Sequence, residues 1–171
     1  MRAGRPRHRG GGGGCCYNEF VNNSVPEPQL DDLYRELILD HYRQPHNRGK
    51  LAGATHAEGY NPLCGDEIEL DLAVRDGVIE GIAFEGRGCS ISQASGSMMT
   101  DAVKGKSIED AERIAAEFRS MMTEGADPAP ELGDLEAFQG VARFPPRVKC
   151  ATLAWRVLQD ALRGGGRVEV R

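Results

Sequence analysis

The chain is 171 residues long, with a formal net charge of −5, 27% charged residues and only 6% aromatics. That length suits one domain with a tail and a real core, and the acidic balance offers nothing for nucleic acid. No apolar run approaches a membrane span, and five cysteines without a secretory leader suggest a reduced cytoplasm and metal or thiol chemistry rather than disulfides.

Residues 1–30 differ in kind from the rest. Arg2, Arg5, Arg7 and Arg9 precede five glycines, Gly10 to Gly14, then Cys15-Cys16 and a polar stretch. With no apolar centre this is no signal peptide, and a glycine run cannot form the amphipathic helix of a transit peptide. It reads as a disordered extension, or as upstream sequence admitted by a misplaced start codon. Cys15 and Cys16 have no scaffold to fix their geometry and stay outside the candidate site. Residues 31–165 form the domain, and 166–171 are set apart as a C-terminal tail.

Asp31 and Asp32 open a helix through Tyr42, with Leu33, Leu37, Ile38 and His41 on one stripe, and Pro45 ends it. His41 reads as a packed or hydrogen-bonded residue; His46 and His56 fall in polar loop and read as solvated. A short strand is expected at 55–59. Ile68, Leu70, Leu72 and Val74 alternate with Glu67, Glu69, Asp71 and Ala73, a strand with one wet face. Arg75-Asp76-Gly77 turns it, and Val78–Phe84 returns.

Helices follow. Ser90 or Ser92 can cap one through Ala94, Met98, Met99 and Val103, ended by Gly105. Ser107-Ile108-Glu109-Asp110 resembles a capping box for a helix closed by Gly125. In each of the adjacent pairs Met98-Met99 and Met121-Met122, one methionine is expected to face the core. Leu132, Leu135 and Phe138 suggest a short helix, and Pro145-Pro146 precede a last one ended by Gly164-Gly165-Gly166. Strands first and helices afterwards predict an α+β fold, a small antiparallel sheet of about three strands with helices on one face.

Three cysteines occupy three loop-to-element junctions: Cys64 in Asn61-Pro62-Leu63-Cys64-Gly65-Asp66, Cys89 after Gly86-Arg87-Gly88, and Cys150 after Arg147-Val148-Lys149. Backbone amides at such junctions favour a thiolate. Asp66 offers an oxygen from the turn of Cys64. Three thiolates and a carboxylate suit tetrahedral zinc or an iron–sulfur unit. Cysteines also serve as small buried hydrophobes, and that reading is strongest for Cys150 on an amphipathic helix. Glycines 86 and 88 read as giving close backbone access to Cys89.

The motifs Leu33-Tyr34-Arg35-Glu36, Asp40-His41-Tyr42, Cys64-Gly65-Asp66, Gly88-Cys89-Ser90-Ile91-Ser92-Gln93-Ala94-Ser95 and Lys149-Cys150-Ala151-Thr152 resemble the U-type iron–sulfur assembly proteins, whose scaffold branch includes IscU and the N-terminal part of NifU. In that branch a histidine precedes the third cysteine; here Lys149 stands there, and a long stretch with Pro128-Ala129-Pro130 separates Cys89 from Cys150. Both departures resemble the SufU branch. The resemblance implies a zinc-dependent sulfurtransferase with an IscU/NifU N-terminal-like fold. It implies one zinc on Cys64, Asp66, Cys89 and Cys150, with Cys64 as sulfur acceptor and Arg147 and Lys149 in support. Its implied partners are a pyridoxal-phosphate-dependent cysteine desulfurase of the SufS type and downstream Suf assembly proteins. Two rival expectations stand beside it: a scaffold holding a transient [2Fe–2S] cluster on the same ligands, and a non-catalytic zinc-stabilised module.

Overall fold

A computed structural model describes residues 32–169, so the proposed extension, with Cys15 and Cys16, lies outside the described residues. Helix α1 (Asp32–Arg43) comes first, and the strands β1 (Thr55–Asn61), β2 (Asp66–Arg75) and β3 (Val78–Arg87) follow. Then come α2 (Ser90–Val103), α3 (Ile108–Glu124), a 3-10 segment (Pro130–Arg143), α4 (Pro145–Leu162) and β4 (Gly166–Glu169). The first three strands form the antiparallel meander that the alternation predicts. Positive φ at Asp76 (51°) and Gly77 (75°) supplies the tight turn between β2 and β3.

The expected count of about three strands needs correction. The sheet has four, in the order β3-β2-β1-β4, and β4 pairs with β1 in parallel. The segment set apart as a tail therefore supplies an edge strand. Gly164, Gly165 and Gly166 turn the chain back from α4 with φ of 114°, 86° and 146°. Gly165 must be glycine for a second reason, since a Cβ there would collide with the carbonyl of His56.

One sheet face carries Ile68, Leu70, Leu72, Ile82 and Phe84, all buried, and α2 and α4 cross it. The approach of α4 is close: a Cβ on Gly59 would strike the Val157 side chain. Beyond this layer, Phe118 of α3 stacks on Trp155 of α4 with centroids 4.7 Å apart and meets Phe138 of the 3-10 segment edge-on at 5.6 Å. Each such pair contributes about 0.5–1.5 kcal/mol beyond its buried area.

Local details depart from the pattern reading in five places. Val74, expected on the packed face of β2, is exposed, because the register shifts between Ala73 and Val74. Cys89, not Ser90 or Ser92, is the N-cap of α2, its sulfur accepting from the Ser92 amide. Met98, Met99, Met121 and Met122 are all buried, because α2 and α3 are packed on more than one side. Leu33, expected on the packed stripe of α1, is 71% exposed, while Ile38 and His41 are buried. His46 and His56 are paired rather than merely solvated: His46 Nδ1 lies 2.5 Å from Asp101, and His56, within β1, lies 2.8 Å from Asp71. Ser107 caps α3 as expected, accepting from the Asp110 amide, and Gly125 ends it in the left-handed conformation.

Candidate metal centre

The four residues singled out from sequence come from four places in the fold. Cys64 lies on the β1–β2 turn, Asp66 opens β2, Cys89 caps α2, and Cys150 lies in the second turn of α4. The turn is built locally. Asn61, buried, accepts from the Leu63 amide through Oδ1 (3.1 Å) and from the Gly65 amide through its carbonyl (2.8 Å). Gly65 takes φ of +74°, which suits a residue without a Cβ. Helix α4 is held against α2 by Ser95, which donates to the Ala151 carbonyl (2.6 Å) and accepts from Trp155 Nε1 (3.2 Å). That contact places Cys150 beside the start of α2.

The donor atoms converge. Cys64, Asp66 and Cys150 each present a ligand atom within 4.8 Å of the others. Cys150 Sγ is 3.7 Å from Cys64 Sγ, and Cys89 Sγ is 3.6 Å from Asp66 Oδ2. A tetrahedron with ordinary zinc–sulfur and zinc–oxygen lengths has edges of about 3.8 Å between sulfurs and about 3.5 Å between sulfur and oxygen. The two distances match one edge of each kind, and the chemistry of three thiolates and a carboxylate suits zinc. Cys89 reaches Asp66 but stands outside the group of three whose donor atoms all lie within 4.8 Å of one another. The same donors also suit iron.

Asp66 is 1% exposed, a buried carboxylate whose Oδ1 accepts from the Cys89 amide at 3.0 Å. Gly88 makes room for it. A Cβ at Gly88, whose φ is +152°, would land on that carboxylate. Gly88 thus admits Asp66, whereas a Cβ on Gly86 would meet the Glu67 carbonyl; neither glycine serves chiefly to open the backbone at Cys89.

Electrostatics shows the cost of crowding these groups. A hydrogen bond with Cys150 is the main influence lowering the Cys89 thiol, to about 6, against the opposing effect of burial. The Cys150 thiol is driven strongly upward, first by that same bond and then by burial and Asp66. Loss of water around its sulfur is the main influence raising Cys64. One site favours one thiolate and resists a second, the expected behaviour of anionic ligands gathered without a cation.

Exposure separates the donors. Cys150 is buried and Cys89 half-buried, whereas Cys64 is exposed and follows Leu63, itself 73% exposed. Arg147 is exposed and Lys149 half-buried, on the turn that leads to Cys150.

Comparisons with known proteins place the chain in a family. The NifU-like N-terminal domain matches residues 33–163. A zinc-dependent sulfurtransferase, SufU, of Bacillus subtilis is 49% identical over 134 residues, covering 78% of this chain and 91% of the relative. An iron–sulfur cluster assembly scaffold protein, IscU, of Streptococcus pyogenes is 47% identical over 136 residues, covering 79% and 86%. Among solved structures, one from Fervidobacterium islandicum, proposed as a cluster assembly scaffold for the SUF system, superposes with a TM-score of 0.71 at 35% identity. It covers 74% of this chain and 94% of the other.

Proposed function

Because the chain belongs to the family of the NifU-like N-terminal domain, we propose that it is a zinc-dependent sulfurtransferase of iron–sulfur cluster assembly. It takes persulfide sulfur onto Cys64 from a pyridoxal-phosphate-dependent cysteine desulfurase of the SufS type. It works in the reduced cytoplasm and passes sulfur to downstream Suf assembly proteins. Among the described residues no helix is long and apolar enough to cross a membrane.

One observation carries the reading: of the four donors, Cys64 is exposed on a glycine turn, while Asp66 and Cys150 are buried and Cys89 caps a helix. Cys64, Asp66, Cys89 and Cys150 would hold one zinc. When bound, zinc keeps the thiolates deprotonated near neutral pH and shields them from stray oxidation.

The transfer itself is thiol exchange. The Cys64 thiolate attacks the terminal sulfur of the donor persulfide; the new bond is Cys64 Sγ to that sulfur, and the donor's S–S bond breaks. The donor leaves as a thiolate and Cys64 holds the persulfide. Cys89 and Cys150, fixed by α2 and α4, keep their places while the turn at Gly65 presents Cys64. Arg147 and Lys149 supply positive charge beside the anionic sulfurs, and Arg147, exposed, is available to the desulfurase.

The test is native mass spectrometry under anaerobic conditions after incubation with a cysteine desulfurase, cysteine and ferrous iron. The expected result is one retained zinc and added sulfur that is lost in Cys64→Ser. Replacement of zinc by two irons and two sulfides would instead establish a scaffold, and sulfur accepted by Cys64→Ser would remove Cys64 from its role.

A further inference from the structure

A second cluster of ligating side chains lies at the other end of α2. His41 from α1, His46 from the loop after it and Asp101 from α2 each offer a ligand atom within 4.8 Å of the others. Asp101 is twelve residues from the Cys89 cap, which corresponds to about 18 Å along the helix. The sulfur site and this cluster therefore share no ligand.

The supporting bonds resemble those that orient metal-binding histidines. His41 is buried, and its Nδ1 lies 2.7 Å from Ser97 Oγ. The same hydroxyl oxygen accepts from the His46 backbone amide at 2.8 Å. In the tautomer that donates Nδ1–H to Ser97, His41 Nε2 carries the free lone pair. Asp101 is held from its other oxygen: Asn47 Nδ2 donates to Oδ1 at 3.0 Å, leaving Oδ2 toward His46. Lys104 in turn donates to Asn47 Oδ1 at 3.1 Å.

The cluster also opens onto space. A cavity of about 310 Å³ is lined by His41, by the carboxylates of Asp101, Glu131 and Asp134 and by one cation, Lys106, so that acidic groups outnumber basic ones. It offers a route for an ion and two further carboxylates near the imidazole of His41. The His46–Asp101 pair alone would account for a surface ion pair; it does not account for a second, buried imidazole beside it or for the acidic cavity behind.

We propose that His41, His46 and Asp101 form a second metal site, for a late first-row divalent cation that prefers imidazole and carboxylate donors. Two imidazoles and one carboxylate suit nickel or zinc, with water completing the shell. The thiolate-rich site takes zinc preferentially, so nickel is the probe that separates the two. An ion here joins α1, the loop after it and α2, and so acts as a clasp across the helical layer.

The experiment uses the full chain loaded with one equivalent of zinc and then titrated with nickel chloride. Bound nickel is counted by native mass spectrometry, and thermal unfolding is followed in parallel. His46→Ala and Asp101→Asn are the test variants; the side chains are 56% and 43% exposed, and the metal-free melting temperature of each variant is measured to check that the fold is kept. Each variant should bind one nickel fewer than the parent at near-stoichiometric nickel, and should lose the nickel-dependent rise in melting temperature. Counting the difference removes any nickel held elsewhere on the chain. Equal nickel counts in parent and variants, or a parent that binds none, would overturn the site.

Discussion

Gly88 and Asp66 show how one missing methyl group shapes the chemistry. The buried Asp66 carboxylate has room only because residue 88 lacks a Cβ, and its bond from the Cys89 amide ties β2 to the cap of α2. Gly88→Ala would press on that carboxylate and also place an alanine at φ of +152°. The backbone strain alone costs of order 1–3 kcal/mol. The expected outcome is zinc binding weakened at least tenfold, measured by competition with a chromophoric chelator, with the fold retained. Gly65→Ala provides the contrast. Open space surrounds its Cβ position, so it should strain the turn without displacing a ligand. The glycine before Cys89 was visible in the sequence, but its partner was not. Nothing in the local pattern says that a residue from another strand fills the space.

At the scale of elements, the strands were legible where alternation was strong, and the junctions were not. Ile68, Leu70 and Leu72 announced β2 because one sheet face is wet and the other packed. Cys89 escaped notice as a cap because serines stand next to it and a thiol is an uncommon capping acceptor. β4 was missed because four residues beginning with glycine carry no alternation; its pairing is decided by where α4 delivers the chain. The wet face holds its own device. Asp71 of β2 accepts from the Leu51 amide (2.9 Å) and pairs with His56 of β1 (2.8 Å). Burial pushes its carboxyl up, but these two bonds outweigh it and hold it below the ordinary 3.8. A depressed carboxyl means that the unfolded chain binds the proton more readily. The stability it contributes is therefore fully present above 3.8 and lost as pH falls through the folded value. Asp71→Asn should cost about 1–3 kcal/mol at pH 7, as for loss of a charge-assisted bond. Urea unfolding should show the gap between parent and variant narrowing once the pH drops below that point.

For the molecule as a whole, the candidate centre is the place where sheet and core helices meet. Its donors come from the β1–β2 turn, the start of β2, the cap of α2 and α4, so an ion held there joins elements distant in sequence. Sequence spacing could not show this convergence. It arises because α2 and α4 cross the same sheet face and Ser95 locks them together. A ligand that binds only the folded chain stabilises it by about 2.7 kcal/mol when its free concentration is a hundred times Kd. For a domain of this size that corresponds to a rise of roughly 5–10 °C in melting temperature on adding zinc to the metal-free chain. The donors should not share this effect equally. Cys64 is exposed on its turn, so Cys64→Ser should leave the metal-free melting temperature within about 2 °C of the parent, as surface substitutions usually do. Cys150 is 2% exposed and packs within α4, so Cys150→Ser places a hydroxyl in a buried position and should lower even the metal-free melting temperature. Calorimetry of both variants with and without zinc separates the two roles. A purely structural zinc module predicts that Cys64→Ser unfolds when zinc is the only support. A sulfur carrier predicts a folded Cys64→Ser chain that has lost its acceptor, because the ligand that must be released for transfer is the one on which the fold depends least.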